Sequence, residues 1–103
     1  MTDKTSLDAI DHIAITVNNI KEGIAWYRQH FNCAVVYEDE TWAYLEFANI
    51  RLAMVLASEH PSHIAFLVEN AAKYGPLTSH RDGTKSVYIN DPAGNTIEMV
   101  DKS

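Results

Sequence analysis

Cysteine is nearly absent: Cys33 is the only one in 103 residues. The chain can therefore form no intrachain disulfide and no cysteine-based zinc site, so packing must stabilise it and any metal must be held by histidine and carboxylate. Long apolar runs are missing too. None approaches the roughly 20 residues a membrane helix requires, and the start, Met1 to Asp8, is polar with no apolar stretch behind a basic beginning. The expectation is a soluble, unsecreted protein of the cytoplasm. Positive charge is scarce: 8 Lys and Arg stand against 14 Asp and Glu, for a net charge of -6, and the basic residues are scattered. Phosphate-backbone binding needs clustered positive charge, so neither nucleic acid nor an anionic membrane surface is an expected partner.

What is present points to one folded unit. The chain is 47% apolar and 21% charged, enough to bury a core at the size of a single domain, and this excludes disorder as the main state. The strongest pattern is an internal repeat. Asp11-His12-Ile13-Ala14-Ile15-Thr16-Val17-Asn18-Asn19 returns 51 positions on as Ser62-His63-Ile64-Ala65-Phe66-Leu67-Val68-Glu69-Asn70. With period two, Ile13, Ile15 and Val17 share a face, as do Ile64, Phe66 and Val68, so both copies read as strands packed on a core.

After the first copy, Asn19 with Glu22 reads as a capping box, and Ile20, Ile24, Tyr27 and Phe31 recur at helical spacing. A helix over 20–31 is predicted. Three β-rich runs follow, at 34–39, 42–47 and 50–57, so the first half reads βαβββ. The second half repeats the order in shortened form. Residues 71–74 allow about one turn of helix before Gly75-Pro76 stops it, followed by a weak strand at 77–80, a clear one at 86–90, the turn Asp91-Pro92-Ala93-Gly94 and a last strand at 95–100. The predicted class is α+β, a single domain over 1–103 made of two βαβββ modules, about 8–58 and 60–101.

Strand parity assigns the face opposite the core. It holds His12, Ala14, Thr16, Trp42, Tyr44, Glu46, Arg51, Ala53 and Val55 in the first half, and His63, Ala65, Ser86, Tyr88, Thr96, Glu98 and Val100 in the second. Ile97 and Met99 point to the core. Such a mixture of aromatic, small and titratable residues suits the lining of a concave site better than a solvated face. Within it, His12, His63 and Glu98 supply three possible metal ligands and leave coordination positions for water and substrate. On residue pattern alone a second reading stands beside this one, in which the two histidines are hydrogen-bonded strand residues and Glu98 is solvated. His30, His60 and His80, at a helix end or in loops, read as surface residues, and Cys33 as a small buried hydrophobe.

Over nearly its whole length, from about Leu7 to Val100, the sequence resembles the vicinal oxygen chelate superfamily, the glyoxalase, bleomycin resistance and dioxygenase proteins. The resemblance rests on Asp11-His12-Ile13-Ala14 with Trp26-Tyr27, on Ala43-Tyr44-Leu45-Glu46-Phe47, on Ser62-His63-Ile64-Ala65-Phe66, and above all on Asp91-Pro92-Ala93-Gly94-Asn95-Thr96-Ile97-Glu98. It implies paired modules in a curved, half-open β-barrel with helices on the outer face, a divalent metal (Fe, Mn, Zn, Ni or Co) on His12, His63 and Glu98, and a homodimer. It implies a small-molecule substrate that chelates the metal through neighbouring oxygens, in a lyase, dioxygenase or thiol-transferase reaction. Four-ligand relatives take a further ligand from the last strand of the first module, where this chain offers Ala53 or Val55, so three-ligand relatives fit better. Fosfomycin-resistance transferases are three-ligand proteins, but the sequence ends at Ser103 without their basic C-terminal segment, which makes antibiotic modification the less expected activity. Within this frame Glu46 and Tyr88 are the candidate acid or base, and Trp42, Tyr44, Arg51 and Ser86 the candidate substrate contacts. Glu46 also fits a solvated cross-strand partner of Arg51. The alternative function is a non-catalytic protein that sequesters an aromatic or anionic small molecule, as bleomycin-resistance proteins do.

Overall fold

The computed structural model describes residues 7–80 and 82–102; the polar start read from Met1 lies outside them as far as Ser6. The described chain is an α+β fold with one α-helix, one 3-10 turn and eight strands in a mixed arrangement. It divides into two compact units, His12–His63 and the remainder, which comprises the residues up to Asp11 and from Ile64 on.

In the first unit the elements are β1 (Ala9–Val17, here from His12 onward), α1 (Ile20–His30), β2 (Ala34–Glu38), β3 (Trp42–Glu46) and β4 (Arg51–Leu56), with strand order β2-β3-β4-β1. β1 and β4 are parallel, with His12 opposite Arg51 and Ala14 opposite Ala53, while β2, β3 and β4 run antiparallel. Helix α1 begins where the capping residue predicts: Asn19 is extended, and its Oδ1 accepts the Glu22 N–H at 2.9 Å. It ends one residue short of the expected Phe31, which leaves the helix as its C-cap and donates its N–H to the Tyr27 carbonyl. Ile20 and Ile24 of α1 pack on Ala43, Leu45 and Met54, with Ile15, Val17, Tyr27 and Cys33 partly buried around them. The helix comes so close that a Cβ on Gly23 would stand 2.9 Å from the Met54 sulfur and 3.2 Å from a Val17 methyl. Glycine is there for proximity.

Two details depart from simple alternation. The register of β2 against β3 shifts between Val35 and Tyr37, so Val36 sits at a bulge and the face assignment changes along that strand. On β1, the best shielded side chains are His12 and Ala14, while Ile13, Ile15 and Val17 are only partly buried. The face opposite the helix is thus dry at His12 and Ala14 and opens to solvent at Thr16.

The second unit carries β5 (His63–Val68, here from Ile64), the 3-10 turn Ala71–Tyr74, β6 (Thr78–Ser79), β7 (Lys85–Asn90) and β8 (Thr96–Asp101), in the order β5-β8-β7-β6. β5 and β8 are parallel, and β8, β7 and β6 antiparallel. The single 3-10 turn is anchored by the Ala71 N–H, which Asp101 Oδ1 accepts at 2.9 Å. The turn into β8 is closed by the Gly94 N–H on the Asp91 carbonyl, with the Asp91 carboxylate accepting the N–H groups of Ala93 and Asn95. Gly94 has φ +89°, the left-handed value that glycine adopts without strain. This turn sets the register of β8 and hence the position of Glu98.

Candidate metal centre

His12 lies on β1, His63 opens β5 and Glu98 sits in the middle of β8. All three are buried, at 7%, 7% and 5% exposure. Each offers one ligand atom, and these atoms all lie within 4.8 Å of one another; among the described residues it is the one such group of three or more. Donor atoms bound at about 2.0–2.2 Å to a common ion stand roughly 3–4 Å apart, so small side-chain adjustments bring this set into a chelating arrangement. Two imidazoles and a carboxylate are borderline-to-hard donors suited to divalent Mn, Fe, Co, Ni or Zn. The donor set fits a metal.

The ring partners settle which imidazole nitrogens are available. His63 Nδ1 lies 2.8 Å from the Pro61 carbonyl, which can only accept, so in the neutral ring Nδ1 carries the proton and Nε2 presents the lone pair. His12 Nδ1 is 3.1 Å from the Tyr44 hydroxyl. With that nitrogen engaged, ligation falls to Nε2, which requires Nδ1–H to donate to the Tyr44 oxygen. Tyr44, expected as a substrate contact, thus also hydrogen-bonds a candidate ligand. It also stacks edge-on against His12 and Trp42, at centroid distances of 5.4 and 4.9 Å, with the Arg51 guanidinium 5.7 Å from its ring.

Trp42 is stacked flat on Tyr37 at 4.4 Å. That pair is fixed by Asp39, whose carboxylate accepts the Tyr37 hydroxyl at 2.5 Å and the N–H groups of Thr41 and Trp42 at 2.8 and 3.0 Å. The Tyr37 hydrogen bond above all, joined by those to Thr41 and Trp42, outweighs the opposing effect of burial and holds the Asp39 carboxyl well below the usual carboxylate range. Glu46 and Arg51 face each other across β3 and β4, both exposed to solvent.

Around Glu98 the neighbours come from β7 and the loop before it. Ser86, 1% exposed, donates its hydroxyl to Glu98 Oε2 at 2.6 Å. Tyr88 stands directly opposite Glu98 in register and hydrogen-bonds its carboxylate. Burial first, then the Glu98 charge and that hydrogen bond, push the Tyr88 phenol above its ordinary value. At neutral pH it is a proton donor and not a base. Ala53 and Val55, buried on β4, offer no donor atom for a fourth ligand.

His80 is the residue that the sequence reading placed elsewhere. Expected at the surface, it is half-buried, with Nε2 2.6 Å from Ser86 Oγ and 3.6 Å from Glu98 Oε2. It stands just past β6, at the end of the weak strand expected at 77–80, and the two residues of β6 give too little alternation to assign it a face.

The Glyoxalase/Bleomycin resistance protein/Dioxygenase superfamily model matches residues 9–75. A search of curated proteins gives no match. Among solved structures, a hypothetical protein from Bacillus halodurans is 14% identical with a TM-score of 0.77, over 93% of this chain and 95% of that one. Methylmalonyl-CoA epimerase from Mycobacterium tuberculosis is 20% identical with a TM-score of 0.74, over 100% and 93%. A superfamily member from Vibrio splendidus is 15% identical with a TM-score of 0.69, over 93% and 100%. At these identities the likeness is one of fold.

Proposed function

This chain belongs to the Glyoxalase/Bleomycin resistance protein/Dioxygenase superfamily, and from that premise we propose that it is a small metal-dependent enzyme whose substrate presents two neighbouring oxygens to a divalent ion. The observation that carries the reading is the buried His12, His63 and Glu98 group, three ligand atoms within 4.8 Å of one another. A divalent ion held there supplies Lewis acidity, polarising substrate oxygens and stabilising the negative charge that develops on them. The chain's own residues supply the rest. Tyr88, kept protonated by burial and by Glu98, is the candidate acid. Arg51 is a candidate clamp for an anionic group, and Trp42 a flat apolar contact. Glu46, exposed opposite Arg51, is the other candidate acid or base. The reaction is of lyase, dioxygenase or thiol-transferase type.

The same reading takes the chain as one cytoplasmic domain of two βαβββ modules in the half-open barrel of its family, working as a homodimer. Ile64 on β5 is 38% exposed, and among the described residues of the second unit the helical structure is the one 3-10 turn Ala71–Tyr74. A second subunit would cover that surface. Sedimentation at micromolar concentration tests this, and a monomeric mass refutes it.

The test of the function is elemental analysis of protein purified without added metal or a metal-binding tag, beside a His12→Ala, His63→Ala double variant. Roughly one ion per chain, lost in the variant, supports the enzyme and directs substrate trials to catechols and thiol transfer. Absence of metal after reconstitution with each candidate ion overturns it in favour of a sequestering protein.

A further inference from the structure

Glu98 is the buried carboxylate of the group, and one unassigned side chain reaches it through a relay. Ser86 Oγ lies 2.6 Å from Glu98 Oε2 and 2.6 Å from His80 Nε2. A hydroxyl has a single proton, and an ionised carboxylate can only accept, so the Ser86 proton belongs to Glu98. The contact with His80 must then run the other way, with Nε2–H donating to a Ser86 lone pair. His80 is itself held by its backbone, whose N–H donates to the Thr84 carbonyl and whose carbonyl accepts the Gly83 N–H. Ser86 is fully buried on β7, and its hydroxyl meets both of these partners there.

We propose that His80 is a positioning residue of the metal centre: by donating to Ser86 it commits the serine proton to Glu98 Oε2 and so fixes the carboxylate in its ligating orientation. This rests on the metal-dependent reading given above. A donor feeding a second donor polarises it, so the Ser86 bond to Glu98 is stronger with His80 present than without it. Partners behind a metal ligand typically contribute 10–100-fold to metal affinity.

Co(II) binding, measured by competition with a chromophoric chelator and by the d–d absorption of the complex, tests this on the intact chain. Ser86→Ala should weaken binding by about 10–100-fold and His80→Ala by about 10-fold. His80→Gln, whose side-chain amide can donate to the same oxygen, should recover most of the loss. In the Ser86→Ala background, His80→Ala should cost much less than in the wild type, because only the longer 3.6 Å contact of His80 Nε2 with Glu98 Oε2 is then left to lose. Wild-type affinity in His80→Ala, or a loss that adds in full to that of Ser86→Ala, overturns the proposal.

A second measurement needs no metal. In the metal-free protein, long-range ¹H–¹⁵N spectra at a fixed pH should give His80 the Nε2-protonated tautomer, and the Glu98 carboxyl ¹³C resonance should move several times further in His80→Ala than when the same change is made on Ser86→Ala, where only the 3.6 Å contact is lost. An Nδ1-protonated His80 or an unmoved Glu98 resonance overturns the relay. Should the wild type bind no Co(II), the metal reading falls, and the spectra alone decide whether His80 orients Glu98.

Discussion

Replacing Tyr44 by phenylalanine removes one oxygen and keeps the ring, which makes it a clean probe of how His12 is prepared as a ligand. The ring holds its place by stacking on Trp42 and His12, contacts that phenylalanine preserves. What is lost is the 3.1 Å hydrogen bond at His12 Nδ1. Between neutral partners such a bond is worth about 0.5–1.5 kcal/mol net. When Nε2 is bound to a cation, the Nδ1–H becomes more acidic and the bond gains charge-assisted character, roughly doubling its strength. The difference between the two states, on the order of 1 kcal/mol, appears as a loss of metal affinity of about 5- to 10-fold, while the metal-free protein loses about 1 kcal/mol of stability. Titration with Mn(II) or Co(II) against a competing chelator reads the first effect, and urea unfolding of the metal-free protein the second. Tyr44→Leu, which also removes the stacking, should cost more stability with a similar loss of affinity. A Tyr44→Phe protein that binds metal as tightly as wild type would refute the assignment of Nε2 as the ligating atom supported by Tyr44.

Other expectations follow from the packing and the turns. Leu45 is fully buried under α1, so Leu45→Ala should cost about 3 kcal/mol in urea unfolding, within the range of buried leucine truncations. Asn19→Ala removes the acceptor for the Glu22 N–H and should cost about 1 kcal/mol, with helix signal lost first at the α1 end in amide exchange. Asp39 is held below its unfolded value, chiefly by Tyr37, so its contribution is fully present above the ordinary aspartate range near 3.8 and is lost as pH falls through the lowered folded value. Asp39→Asn should therefore lower the urea midpoint at pH 6 and narrow its gap from wild type in strong acid; an equal gap at both pH values would refute the role given to the carboxylate.

The elements of the chain were legible because they follow periodic signals. The 51-residue echo of His12 in His63 placed both histidines on equivalent strands, and the period of two put Glu98 on the matching face of β8. The capping residue Asn19 and the breaker Gly75-Pro76 marked the limits of α1 and of the 3-10 turn. Illegible were the features that depend on which side chains meet. Parity assigns Tyr44 a face, but cannot say that its hydroxyl lands on His12 and not in open space. The bulge at Val36 breaks the alternation without any glycine to announce it. His80 closes the weak strand expected at 77–80, which forms over two residues only, and it reaches Glu98 because the turn between β6 and β7 folds back beside Ser86.

The three ligands draw their support from three different kinds of source, and this has a consequence for how the site fails. His63 is oriented locally, by the Pro61 carbonyl two residues before it, so a backbone group fixes its tautomer and no side-chain substitution removes that partner. His12 depends on Tyr44, whose strand β3 is joined to β1 only through β4. Glu98 depends on the strand beside it, with Tyr88 directly opposite and Ser86 diagonal to it on the same face of β7. Damage to β3 should therefore loosen His12 first, and damage to the β6–β7 turn should loosen Glu98 first, while His63, whose ring also meets that of His12 at 5.7 Å, is held by its own backbone. Substitutions remote from the metal should then fall into two classes by which ligand's resonance moves in the metal-free protein. Tyr44→Phe should shift His12 and spare Glu98, and His80→Ala the reverse. Were both to shift the same ligand, the independence of these supports would be wrong, and the centre would have to be treated as one cooperative network.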